Sequence, residues 1–169
     1  DQIPVYIGLG FMVTGVMVKA AIFPMHFWLP PSYGHAPMAV TTLLAAVATK
    51  ASLYILVRVL MTIFGGIDTL PQLILQWVLI PLSLMAILLG TILAIYERDA
   101  KLMLAQSSIA QIGYIVLGFG MGSLAGLQAG FIHITNHAMI KGGMFIGLGG
   151  LAVAAAGKTK LNSLAGLGR

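Results

Sequence analysis

The sequence predicts an all-α fold, a polytopic transmembrane helical bundle of about five membrane-spanning helices, one of them broken at Pro24. Three observations predict it. Of 169 residues, 59% are hydrophobic and only 8% charged, and the mean hydropathy is +1.01, which leaves too little polar surface to coat a soluble globule. The apolar stretches are each long enough to cross a bilayer core that takes about 20 helical residues. They are divided by turn and breaker chemistry in "LPPSYGHAP", "GGIDTLP", "ERDAK" and "GFGMGS". Seven prolines and 21 glycines fit membrane helices whose freed backbone groups find partners on neighbouring helices, and argue against a simple anchor. Zero cysteines exclude disulfides, thiolate metal sites and cysteine nucleophiles.

The spans fall near 4–29, 38–64, 72–96, 103–120 and 124–151, inside a transmembrane region of 1–156 that is followed by a basic tail, 157–169. The first is not a signal peptide, because "DQIPVY" has no basic leader; lacking an initial methionine, the chain reads as part of something longer. Five crossings put Arg98, Lys101, Lys158, Lys160 and Arg169 on one side and leave the opposite loops without Lys or Arg. That asymmetry predicts a cytoplasmic 97–101 loop and 157–169 tail, and it collapses if one span is spurious. The net charge of +5 is read as topology, with membrane lipid and not nucleic acid as the partner.

Lys19, Lys50 and Lys141 fall near the middle of predicted spans, where insertion of a lysine costs about 2.5 to 3.5 kcal/mol. Arg58 lies nearer a span end and is read as structural, reaching the interface. The four acids, Asp1, Asp68, Glu97 and Asp99, all lie in loops or at the terminus, so none inside a span neutralises the lysines. Either the lysines line a hydrated cavity or their carboxylates lie elsewhere in a larger protein. Both readings point to proton or ion handling.

His133, His137 and Lys141 recur every four residues, which sets them on one helical stripe with Asn136 beside it. Imidazole accepts a proton on one nitrogen and releases one from the other, so such a stripe is a relay. Two rival readings are weaker. A metal site needs further ligands and is repelled by an ammonium, and a haem pair draws histidines from facing helices, whereas His26 and His35 fall in or near a loop. In the first span, Pro24 follows Lys19 by five residues and interrupts the helix at depth, with His26 and Trp28 beyond it read as interfacial. In the fourth, Ser107, Gln111 and Tyr114 share a face that holds a water wire or bonds a neighbouring helix. Glycines spaced by four in "GSLAGLQAG" and "GMFIG" read as close helix packing.

"KAAIFPMHFWLPPSYGHAP", "LLAAVATKASLYILVR", "RDAKLMLAQSSIAQIGYIVLG" and "FIHITNHAMIKGGMF", in this order, resemble the antiporter-like membrane subunits shared by respiratory complex I, Mrp-type cation:proton antiporters and membrane-bound hydrogenases. The resemblance covers nearly the whole chain and corresponds to the seventh to eleventh transmembrane helices of such a subunit. It implies proton translocation along Lys19, Lys50, His133, His137 and Lys141, with Na+ or K+ as coupled ions, no catalytic centre and no cofactor in this chain. It also implies other membrane subunits as partners, an inner (cell) membrane of a bacterium or archaeon, a carboxylate upstream of Asp1 and a further ionisable group beyond Arg169. Lysine at position 50 leans toward the Mrp D-type subunit. A membrane-bound hydrogenase subunit is the alternative within the resemblance; a non-transporting scaffold or a His-ligated metal site is the alternative outside it.

Overall fold

A computed structural model describes residues 3–64 and 73–166. The "GGIDTLP" connection with Asp68, and the terminal Asp1 and Arg169, lie outside the described residues. Among the described residues, seven helical elements follow in order: α1 Ile3–Ala20, α2 Leu29–His35, α3 Met38–Ile63, α4 Ile74–Tyr96, α5 Ala100–Gly120, α6 Leu124–Ala154 and α7 Leu161–Leu164. Five of them, α1, α3, α4, α5 and α6, are long and apolar enough to cross a membrane. The fold is an all-α membrane bundle, and the chain is an integral membrane protein.

The first predicted span is corrected in one respect: its helix ends at Ala20, not near 29. Proline has no N–H and its ring clashes with the carbonyl four residues earlier. For Pro24 that carbonyl belongs to Ala20, so the helix stops one turn before the proline itself. Ala21 turns into the left-handed region at φ 55°, and the freed carbonyls find new donors: Ile22 N reaches Met17 O at 3.0 Å and the Trp28 indole donates to Val18 O at 2.8 Å. Trp28 therefore caps the break. His26 is buried within the protein, stacked on Phe23 and Phe27.

Helix α3 runs unbroken but is widened into π-helical turns at Leu44–Ala48 and Arg58–Ile63. Such turns leave carbonyls less tightly bonded along the ladder and often occur at functional positions. Nothing in the sequence pattern announces them.

Helix α5 is the hub, packed against α2, α4 and α6, while α1 packs on α3. Two glycine sets permit the closeness. A Cβ at Gly90 of α4 meets the Ala110 backbone N at 2.7 Å, and one at Gly113 of α5 meets the Ser83 carbonyl at 2.9 Å. Between α5 and α6, a Cβ at Gly118 meets Gly126 O at 3.0 Å, and Gly130 is pressed against the Phe119 ring. Only half of the expected α6 glycine packing holds: Gly126 and Gly130 are contact residues, but Gly143 and Gly147 have open space where a side chain would go. Gly122 serves the turn instead, at φ +60°.

The 97–100 connection and the segment after α6 are joined. Asp99 caps α5, accepting from Lys101 N at 2.9 Å and Leu102 N at 3.3 Å, and its other oxygen accepts from the Thr159 hydroxyl at 2.5 Å. Ala100 N donates to Thr159 O and Leu161 N to Arg98 O. Both segments therefore sit at the same end of the bundle, as two intervening crossings, α5 and α6, require.

Candidate relay site

The two polar rows read from the sequence meet each other. Helices α5 and α6 are antiparallel neighbours, so residues early in α5 face residues late in the stripe of α6. Lys141 Nζ donates to Ser107 Oγ at 2.5 Å and to Leu104 O at 2.8 Å. One step along, His133 Nε2 lies 2.8 Å from Gln111 Oε1, and the Tyr114 ring meets the His133 ring edge-on at 6.3 Å. Ser107 and Gln111 thus hydrogen-bond to the neighbouring helix, and Tyr114 meets it through its ring.

His133 and His137 lie one above the other, ring centroids 6.2 Å apart and planes inclined by 11°. Neither ring nitrogen of His137 has a hydrogen-bond partner, although the residue is only 2% exposed. An imidazole buried without a bond is costly, of the order of 1 to 3 kcal/mol. Lys50, from α3, completes the cluster: it is buried, its charge is felt at His137, and it feels the charge of Lys141. Its ammonium donates to the Ala45 carbonyl of the widened turn and to Thr49 Oγ1 at 3.3 Å. Four titratable groups from two helices are gathered here, and Glu97 and Asp99, the carboxylates among the described residues, stay in the connection outside.

Lys19 is placed differently. It ends α1 in the last turn before the break, where a cation complements the negative end of the helix dipole. It is exposed, in a cleft of about 350 Å³ shared with Ser52, Ile55, Val59 and Phe11. Asn136 is also exposed, to one side of the stripe. Arg58 is exposed, in keeping with a snorkelling role. Among the described residues, no group of three or more His, Cys, Asp or Glu side chains comes together to hold a metal ion.

Lys101 is the residue the sequence misplaces. It reads as a loop charge, yet it stands in the first turn of α5, 6% exposed, with its ammonium donating to Ala36 O and, at 3.3 Å, to Gly34 O at the end of α2. Its position at the end of "ERDAK", at a span edge, masks the burial.

A bundle of apolar spans with a broken helix beside one lysine and a buried row of lysine and histidine defines an antiporter-like membrane subunit. The chain belongs to the family described as "NADH:quinone oxidoreductase/Mrp antiporter, TM", which matches residues 1–169. It is 41% identical over 155 residues to an NADH-quinone oxidoreductase subunit N of Desulforudis audaxviator (strain MP104C), covering 90% of this chain and 30% of that protein. Among solved structures it resembles a chain of the Mrp complex from Dietzia sp. DQ12-45-1b, with TM-score 0.85 and 28% identity over 95% of this chain and 29% of the other. It also resembles a chain of the membrane-bound sulfane sulfur reductase, an archaeal respiratory membrane complex, with TM-score 0.81 and 29% identity over 96% of this chain and 33% of the other. The chain spans about a third of the length of these relatives.

Proposed function

We propose that this chain carries the central part of a proton path in a multisubunit membrane complex, either an NADH:quinone oxidoreductase or an Mrp-type cation:proton antiporter. The observation that carries the reading is His137, buried with both nitrogens unbonded between two lysines and a second histidine. Buried lysines and histidines gathered with no carboxylate beside them among the described residues are too costly to keep for packing alone. Lys50, His137, Lys141 and His133 form the inner path; Ser107, Gln111 and Tyr114 hold it in place, and Asn136 stands at its edge. Lys19 connects from the outer face of α1, where a carboxylate from another part of the full subunit would pair with it.

Protons are the transported species this cluster supports directly, because each of its members gains and loses a proton. Coupling to Na+ or K+ belongs to the same proposal and rests on the family's antiporter members. The choice between complexes is divided: Lys50 leans to the Mrp type, while the named relative of highest identity above is a quinone oxidoreductase subunit. The 97–101 segment and the 157–169 tail are placed in the cytoplasm by their Lys and Arg content. Proton flux in sealed vesicles holding the whole complex tests the reading: Lys50→Ala and Lys141→Ala each lower flux with the complex still assembled, and normal flux in either removes that residue from the path.

A further inference from the structure

Lys101 is a buried cation for which the proton path has no use, and its surroundings explain why it is there. An ammonium in the bundle is costly unless its donors are satisfied. Here the nearby Asp99 carboxylate is occupied by the Lys101 and Leu102 backbone N–H groups and the Thr159 hydroxyl. The ammonium turns instead to Gly34 O and Ala36 O, main-chain carbonyls at the end of the short helix that follows the break. A cation is well placed at a helix C-terminus, where carbonyls lack intrahelical partners. The same corner is fixed from α3 by the Thr41 hydroxyl, which donates to Tyr33 O at 3.1 Å, with Pro37 O at 3.2 Å as an alternative acceptor. Gly34 is pressed onto Leu102, so close that a Cβ there would meet its Cδ2 at 2.8 Å.

What this corner holds is Tyr33. Its ring is 1% exposed and meets Phe145 of α6 edge-on at 5.8 Å. Its hydroxyl lies against the Thr49 side chain without closing a hydrogen bond. Thr49 in turn accepts from the Lys50 ammonium.

From this juxtaposition we infer that Lys101 is a positioning residue for Lys50: by clasping the Gly34 and Ala36 carbonyls it holds Tyr33 against Thr49 and so sets where the Lys50 ammonium rests. The inference depends on Lys50 belonging to the proton path. The groups facing Lys50 are Thr49 and the Ala45 carbonyl on its own helix, His137 and Lys141 on α6, and Tyr33 of α2 through Thr49. Lys19 stands on α1 across the Ser52 cleft.

The experiment measures proton flux against pH in vesicles containing the intact complex, with its amount quantified, for Lys101→Met, Lys101→Arg, Tyr33→Phe, the Lys101→Met/Tyr33→Phe double variant and Lys50→Ala. Lys101→Met should lower flux by about tenfold or more, as small misplacements of a reacting group do, and displace its pH profile at normal complex levels. Lys101→Arg, still able to donate to two carbonyls, should recover most of the flux. Tyr33→Phe should displace the pH profile in the same direction, and the double variant should be no worse than the stronger single one. Normal flux in Lys50→Ala would sink the path reading itself. Loss of flux in Lys50→Ala together with an unmoved pH profile in both Lys101→Met and Tyr33→Phe would overturn this inference alone, as would additive losses in the double variant. Should Lys101→Met fail to assemble, Tyr33→Phe, which keeps the ring against Phe145, decides by its pH profile.

Discussion

The Lys141 ammonium of α6 and the Ser107 hydroxyl of α5 are 2.5 Å apart, and the Leu104 carbonyl that also receives Lys141 accepts the Ser107 and Ser108 hydroxyls at 3.0 and 2.9 Å. One carbonyl thus gathers three side-chain donors inside the bundle, and among the described residues the lysine is held without a carboxylate.

Ser107→Ala removes one of the two acceptors of Lys141 and leaves Leu104 O. A hydrogen bond to a charged group contributes about 1.5 to 3 kcal/mol. Proton flux in vesicles should fall by about tenfold or more, since about 1.4 kcal/mol is tenfold in a rate, with the complex still assembled. Unchanged flux would separate Ser107 from the path.

Helix packing makes a sharper statement about stability. Gly90→Ala drives a methyl group into the Ala110 backbone, which cannot move as a side-chain tip does, and overpacking of this kind costs about 1 to 3 kcal/mol. Gly147→Ala enters open space and should be neutral or mildly stabilising, since alanine is the better helix former. Melting of the two variants in detergent should differ in that order; equal melting would refute the tight α4–α5 contact.

Topology is testable with single cysteines in this cysteine-free chain. Arg98→Cys and Lys158→Cys, both exposed and at the joined end, should react with an impermeant maleimide from the cytoplasmic side. Met121→Cys, exposed in the turn before α6, should react only from the other side. A reversed pattern would overturn the proposed orientation, and labelling of all three from one side would overturn the crossings themselves. Lys101 is a poor site for such a probe, because it is buried.

How far the fold and site were legible depends on what kind of signal each residue sends. Spans were readable because apolar length is a property of the segment, and five described helices are long and apolar enough to cross a membrane. The break was readable from Pro24, but its location at Ala20 follows from the ring acting one turn back. The stripe His133, His137, Lys141 was legible by spacing alone, and so was the shared face of Ser107, Gln111 and Tyr114; that the two rows face each other depends on the α5–α6 pairing, which Gly118, Gly126 and Gly130 permit. Lys101, Tyr33 and Thr49 were not legible. Their contacts bridge residues as far apart as Gly34 and Lys101, and a lysine at a span edge has the same local pattern whether it points to water or folds inward. Lys19 and Lys50 look alike in sequence, yet in this chain Lys19 is exposed on α1 and Lys50 is buried on α3.

The relay itself is tested most directly by proton flux, metal content and melting temperature measured on one preparation of the complete complex carrying His137→Gln. Glutamine keeps size and hydrogen-bonding capacity but cannot change protonation near neutral pH. The account predicts flux reduced by about tenfold or more, in the range that general acid–base groups contribute, with metal content and melting temperature unchanged. Normal flux in His137→Gln would contradict it, and a joint loss of bound metal and thermal stability would replace it with a metal site.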